Sequence, residues 1–446
     1  MSRTRGPASP FHQIPGSALV TASTSRRNFL RSAALGGLLV GSPGLLAACG
    51  SDSGSGSGGD TKTVKFGMNE AKGSGPAYDR LDGIAKAYAE KSGVTVDTNP
   101  VDHNTFQNDI TTYLQGSPDD VFTWFAGFRM NQFAEQGVIS DISDVWPIEG
   151  INDSFKTAST ASDGKQYFVP ISYYPWAVFY KKSVFEEKGY EVPATLDDLT
   201  ALMTKMQSDD IVPFAFGDKD GWPALGTFDI LNMRINGFDF HMSLMAGEEQ
   251  WDGSEVKAVF ETWQGLLPYH QADPLGRTWQ EAATAMGKGE AGMYLLGTFV
   301  TDAIADVADD LDFFTFPELD SSIGSDALDA PIDGFCLAAA GKNQDSGKEF
   351  LKFLGTAEAA DAANANADAP LIAANEGASQ DSYTPLQVKS AEVVGAAASI
   401  AQFLDRDTRS DFAPVVIQAI QTWLETPDDI DSVLTSIQEQ KESIFV

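Results

Sequence analysis

Residues 61–128 read TKTVKFGMNEAKGSGPAYDRLDGIAKAYAEKSGVTVDTNPVDHNTFQNDITTYLQGSPDDVFTWFAGF, and their periodicity decides the fold class. Three short runs have the β-branched and aromatic content of strands: 63–68 (TVKFGM), 94–98 (VTVDT) and Asp120–Phe125 (DVFTWF). Between the first two, Leu81, Ile84, Ala85 and Tyr88 fall at i, i+3, i+4 and i+7, one face of a helix. Pro76 suits the start of that helix and Gly93 its end. Between the second and third runs, Phe106, Ile110, Tyr113 and Leu114 mark another amphipathic helix, closed by Gly116. Strand and helix alternating at roughly thirty residues per unit predict a parallel sheet, hence an α/β fold.

Further along, the spacing predicts helices over Leu196–Ser208, Val256–Tyr269 and Gln280–Lys288. Short strands are predicted over Pro213–Phe216, Gly292–Leu295 and Asp312–Phe316. In the last helix Thr426 reads as the cap and Pro427 as a first-turn residue, with Ile430, Val433, Leu434 and Ile437 as the inner stripe. About 385 residues follow the N-terminal tract, more than one core serves, so two domains are predicted.

The N-terminal tract has a separate character. Residues 1–48 carry five arginines and no acidic residue, then a short apolar stretch from Ala33 to Ala48, the make-up of a secretory signal. Gly36, Gly37, Gly41, Pro43 and Gly44 break that stretch too often for a membrane span. The pair Arg26-Arg27, followed by Phe29 and Leu30, resembles a bacterial twin-arginine export signal. Leu46-Ala47-Ala48-Cys49 resembles the lipobox of bacterial lipoproteins. That resemblance implies that Cys49 is lipidated and becomes the mature N-terminus, holding the chain on the extracellular face of the cell membrane. Residues 50–60, GSDSGSGSGGD, form a flexible tether with a reach of roughly 20 Å. The second cysteine, Cys336, lies in an apolar run and reads as a buried thiol, so no disulfide is expected once Cys49 is acylated.

Charge excludes whole classes of partner. The chain has a net charge of −33, and loss of the five signal arginines takes it to −38. Such a surface does not hold nucleic acid or an anionic lipid face, both polyanions. Past the signal the three histidines (His103, His241 and His270) are scattered, and no metal or other cofactor is expected.

The segment Asp163–Leu199, DGKQYFVPISYYPWAVFYKKSVFEEKGYEVPATLDDL, is similar to the most recognisable stretch of the carbohydrate-type bacterial extracellular solute-binding proteins. Ser117–Phe128 (SPDDVFTWFAGF), Ala285–Phe299 (AMGKGEAGMYLLGTF) and Pro331–Leu354 (PIDGFCLAAAGKNQDSGKEFLKFL) match further segments in the same order. The resemblance implies a two-lobed, periplasmic-binding-protein-like fold of type II, with lobes joined by crossing strands and a ligand cleft between them. The implied boundaries are a signal peptide over 1–48, a linker over 49–60, one lobe from 61–172 with 333–378, and a second from 173–332 with 379–446. The implied function is capture of a sugar, with an oligosaccharide favoured, and its delivery to the permease subunits of an ABC importer. No catalysis is expected, and the chain is expected to act as a monomer.

A sugar has an apolar C–H face and a rim of hydroxyls, so its site needs flat aromatics together with charged or amide groups. Aromatics at strand ends and turns are the candidates, because those on helix stripes usually fill cores. By that filter Trp124 and Phe125, Tyr173, Tyr174 and Trp176, Trp222, and Phe299 are predicted to border the ligand. Asp333 and Phe335 at the return crossing, with Asp405 and Arg406, complete the candidate set. Two rivals stand: a binder of cationic solutes such as polyamines, using cleft carboxylates, and an exported glycosidase, which needs two carboxylates across a cleft.

Overall fold

The computed structural model describes residues 62–365 and 369–445. The export and lipidation readings at Arg26, Arg27 and Cys49 lie outside the described residues. Strands β1 (Thr63–Met68), β2 (Thr95–Pro100) and β3 (Val121–Phe125) form within two residues of the predicted positions, and β1 lies between the other two, parallel to both. The intervening helices run Pro76–Ser92, ending at the left-handed Gly93 (φ 71°), and His103–Gln115, capped by the Asp102 carboxylate on the Thr105 amide.

The parallel prediction holds only for those three strands. The sheet continues through β4 (Val169–Tyr173), β10 (Ile332–Leu337) and β11 (Ile372–Ala373) in the order β11-β4-β10-β3-β1-β2, and β10 runs antiparallel to both β3 and β4. The reason is topological: β10 enters from the other lobe instead of following a helical crossover. Buried residues pack both faces, Val64, Phe66, Phe350 and Leu354 in one cluster and Phe106, Ile110, Trp124 and Phe133 in another.

A second sheet forms from β5 (Trp176–Lys181), β6 (Val212–Phe214), β7 (Ala291–Gly297) and β8 (Leu311–Phe314), ordered β6-β7-β5-β8. Its core gathers Phe179, Phe228, Trp251, Phe260, Trp263 and Trp423. A two-stranded parallel ribbon joins β9 (Ala327–Asp329) to β12 (Ser399–Ala401). The chain passes between the main sheets where β4 gives way to β5, and again where β9 leads into β10. The described residues together make one compact unit.

The C-terminal helix departs from its predicted start. It runs Ile430–Ile444, and Thr426 instead ends the preceding helix, Ala413–Glu425, its amide donating to the Thr422 and Trp423 carbonyls. The inner stripe Ile430, Val433, Leu434 and Ile437 is buried as the periodicity requires. The local cap signal was genuine in composition, but continuation of the preceding helix through Glu425 claimed Thr426 first.

Candidate functional site

A cavity of about 380 Å³ opens between the two sheets, at the carboxyl ends of β1, β3 and β4 and beside the start of β5 and the end of β7. All eleven sequence-predicted residues border it. They divide by exposure. Tyr173, Tyr174, Trp222 and Phe299 are half-buried and offer ring surface to the cavity. Trp124, Phe125, Trp176 and Phe335 are 2% exposed or less, so they act as the wall behind the surface.

The aromatic wall is assembled by close backbone approach. Phe299 meets Tyr174, Trp222 and Trp279 edge-on at centroid separations of 5.5, 5.9 and 5.2 Å. A Cβ on Gly297 would stand 2.4 Å from the Phe299 ring, and one on Gly226 2.3 Å from the Trp176 ring, so only glycine admits these rings. Trp222 is set by the turn before it: the Asp218 carboxylate accepts from the Ala224 amide and anchors the start of the helix Pro223–Asn236.

In contact with the rings through Tyr174 lies a network of charges. A β-bulge between Asp333 and Gly334 turns the Asp333 carboxylate to Arg406, whose Nη1 donates to it at 3.1 Å. The same guanidinium donates to the Tyr174 hydroxyl at 3.3 Å and lies 3.8 Å over the Phe125 ring. Burial alone would lower the Arg406 pKa, but Tyr174, Asp333 and Asp405 outweigh it and hold the cation firmly protonated. Asp405 is buried, not part of a surface charge cluster. It lies 3.5 Å from Arg129, which in turn covers Trp124 at 4.8 Å. It sits between Arg129 and Arg406, whose charges it offsets at the border of the cavity.

Phe403 explains how Arg406 reaches the cavity. Its φ of 126° lies in the region that side chains avoid, at a cost on the order of 1–3 kcal/mol. The surroundings impose it: the ring stacks on Trp176 at 4.7 Å, Asp229 accepts from the Leu404 amide, and Asp407 accepts from the Gln402 amide.

Several bordering residues were not among those predicted. Asn69 and Glu70 follow β1 directly, where ligands of open α/β sheets sit, so strand-end position alone could have found them. Burial pushes Glu70 up to about 7, against the pull of Arg80. His103 is pushed down to about 4 by burial and by Arg406, so the ring beside Glu70 is neutral at pH 7. Trp279 opens a helix whose Thr278–Glu281 capping box is legible in the sequence. Arg80 and Asp302, which pair across the cleft at 2.9 Å, carry no such local signal. Among the described residues, no group of three or more His, Cys, Asp or Glu side chains could hold a metal ion.

The arrangement suits a neutral polyhydroxylated ring: faces meet aromatic surface, and a rim of charged donors and acceptors is already oriented by mutual pairing. Comparison with known proteins points the same way. Residues 72–361 match the family described as bacterial extracellular solute-binding protein. An ABC transporter extracellular-binding protein of Pyrococcus horikoshii is 27% identical over 326 residues, covering 70% of this chain and 72% of that protein. Among solved structures, the bacterial solute receptor AcbH, described as having an exclusive preference for β-D-galactopyranose, is 44% identical with a TM-score of 0.83. The match covers 86% of this chain and all of that one. A protein from work on xylan utilization by the thermophilic bacterium Caldanaerobius polysaccharolyticus shares the fold, with a TM-score of 0.76 at 18% identity over 85% of this chain and 99% of that one. The two-lobed architecture, the cleft between sheets and the match over residues 72–361 agree: this chain belongs to the family of bacterial extracellular solute-binding proteins.

Proposed function

We propose that the chain is the sugar-capturing component of an ABC importer, with a galactose-type hexopyranose as its cargo. The observation that carries this reading is the cavity itself, bordered by the rings of Phe299, Tyr174, Trp222 and Trp279 together with the polar groups of Asp333, Arg406 and Glu70. Its volume of about 380 Å³ lies near the lower end of the roughly 300–1,000 Å³ of small-molecule sites, which favours a single ring over the longer saccharide the sequence suggested. The 44% identity to a receptor described as selective for β-D-galactopyranose supports the same choice.

In this reading residues 61–172 with 333–378 form one lobe and 173–332 with 379–446 the other, closing over the sugar. The closed form then presents the cargo to permease subunits. Closure is driven only by the extra affinity of the sugar for the closed form. The protein releases its cargo chemically unchanged, acts as a monomer, and is exported by the twin-arginine route and tethered through Cys49.

Titration calorimetry with D-galactose at low and high salt tests the reading. Stacking and hydrogen bonds within a closed cleft respond weakly to ionic strength, whereas a cationic solute would draw on a field that salt screens over about 8–10 Å. Affinity for galactose is expected to change little with salt, and Phe299→Ala to weaken it about tenfold. Roughly 50 Å² of lost apolar contact at about 25 cal/mol per Å² lies close to one decade of affinity. Affinity for spermidine that collapses with salt, alongside no galactose binding, would establish the cationic reading instead.

The anchor has its own test. No helix among the described residues is long and apolar enough to cross a membrane. Because the lipid on Cys49 is the proposed anchor, Cys49→Ala is expected to move the protein from the membrane fraction to the soluble fraction of fractionated cells. Retention in the membrane fraction would remove the lipidation proposal.

A further inference from the structure

One ion pair in the cleft joins elements with no covalent route between them except through the distant crossings. Arg80 stands on the helix Pro76–Ser92 beside the first sheet, and Asp302 on the short helix Val300–Ala303 that follows β7 of the second. The guanidinium engages the carboxylate through both nitrogens, Nη1 to Oδ1 at 3.3 Å and Nη2 to Oδ2 at 2.9 Å. Nη1 also donates to the Ala369 carbonyl at 2.7 Å. Both side chains border the cavity and are 16% and 14% exposed. The paired fork, the third hydrogen bond and the partial burial distinguish this pair from the ordinary surface ion pairs of the molecule.

Its position relative to the aromatic wall gives it a consequence for cargo. Asp302 lies three residues beyond Phe299, and its amide donates to the Phe299 carbonyl at 2.9 Å. Three residues of helix rise about 4.5 Å. A ring seated against Phe299 therefore has the ion pair beside it, within about the length of one further ring. A saccharide extended in that direction meets a guanidinium held by three hydrogen bonds, two to Asp302 and one to the Ala369 carbonyl. Admitting it would require breaking the pair and leaving a mostly buried Asp302 without its cation, which is costly.

We infer that Arg80 and Asp302 form an interlobe clasp that shuts this end of the cleft and restricts the cargo to a single pyranose ring. The inference rests on the sugar reading and adds a pair of specificity-determining residues to it. Asp302 and Arg80 come together only when the lobes do, so the clasp both reports closure and sets the length of what is enclosed.

The test is calorimetry with two probes, D-galactose and β-1,4-galactobiose, on wild type, Arg80→Met, Asp302→Asn and the exchanged pair Arg80→Asp with Asp302→Arg. Wild type is expected to bind the disaccharide at least 100-fold more weakly than the monosaccharide. Each single variant is expected to reduce that ratio to tenfold or less, and the exchanged pair to restore much of it. Thermal melts verify that the variants fold. A residue with a merely structural role would weaken both probes equally and leave the ratio unchanged, which would overturn the clasp while leaving monosaccharide capture intact. Equal affinity of wild type for both probes would overturn it as well. Failure of wild type to bind either probe would overturn the sugar reading, and the clasp with it.

Discussion

Arg406→Ala is expected to abolish sugar binding, with affinity falling at least 100-fold, and to destabilise the protein by about 1–3 kcal/mol, since the Asp333 side chain left unpaired is one third exposed and reaches water. Among the described residues, Arg406 is the cation that touches Asp333, Tyr174 and the face of Phe125 together. Asp405 keeps Arg129 at 3.5 Å when Arg406 is removed, but Asp333 loses its ion-pair partner. Burial already raises the Asp333 pKa against the opposing pull of Arg406. Without that pull the carboxyl rises further, so the variant is expected to recover part of its stability as pH falls. Arg406→Lys keeps the charge but not the planar fork, and is expected to fall between wild type and alanine in both measurements. Calorimetry and urea denaturation at pH 5 and pH 7 read these outcomes; wild-type affinity in the alanine variant would remove Arg406 from the binding site.

The second large effect concerns pH. Asp407 and Asp218 are pushed up to about 7, in both cases chiefly by burial. Asp229 and Asp329 are raised well above the usual carboxylate range, first by burial and then by neighbouring carboxylates. Both oxygens of Asp329 and one of Asp229 lack a hydrogen-bond partner while fully buried. A carboxyl with a higher pKa folded than unfolded binds more protons in the folded state between the two values. Its contribution is fully present below about pH 4 and is lost as pH rises to the folded value, about 7 for Asp407 and Asp218, at up to about 1.4 kcal/mol per pH unit for each such group.

Stability is therefore expected to be greater at pH 5 than at pH 8, the reverse of the trend set by salt-bridged carboxylates. General repulsion within a chain of net charge −33 acts in the same direction. Asp329→Asn separates the two, because it removes one buried carboxyl and barely alters the overall charge. It is expected to raise the urea midpoint at pH 8, leave it nearly unchanged at pH 5, and so flatten the profile. An unaltered slope would show that the buried cluster is not its source.

Where a single element decided the outcome, local pattern was enough. The helix containing Leu81, Ile84, Ala85 and Tyr88 buries three of those four residues and stops at Gly93, since periodicity and a left-handed cap are both local properties. The aromatics at strand ends all came to the cleft for the same reason: in open α/β sheets the ligand side is the strand-end side. Pattern could not separate Phe299 and Trp222, which face the cavity, from Trp124 and Trp176, which are walled in. Exposure depends on what packs behind a ring, and Trp124 is covered by Phe106, Phe133 and Arg129 from other elements.

The sequence by itself determined the α/β class, the strongly acidic net charge, the export and anchoring expectation, and the group of residues at the strand ends. Each follows from composition or from the short periods of helices and strands. Only the tertiary structure decided that β10 runs antiparallel into the first sheet, that Thr426 ends one helix instead of starting the next, and that Asp405 serves arginines. It alone brought Arg80 to Asp302 across 222 residues of chain. Such pairings depend on which surfaces meet after the elements have formed, and no local spacing encodes that meeting.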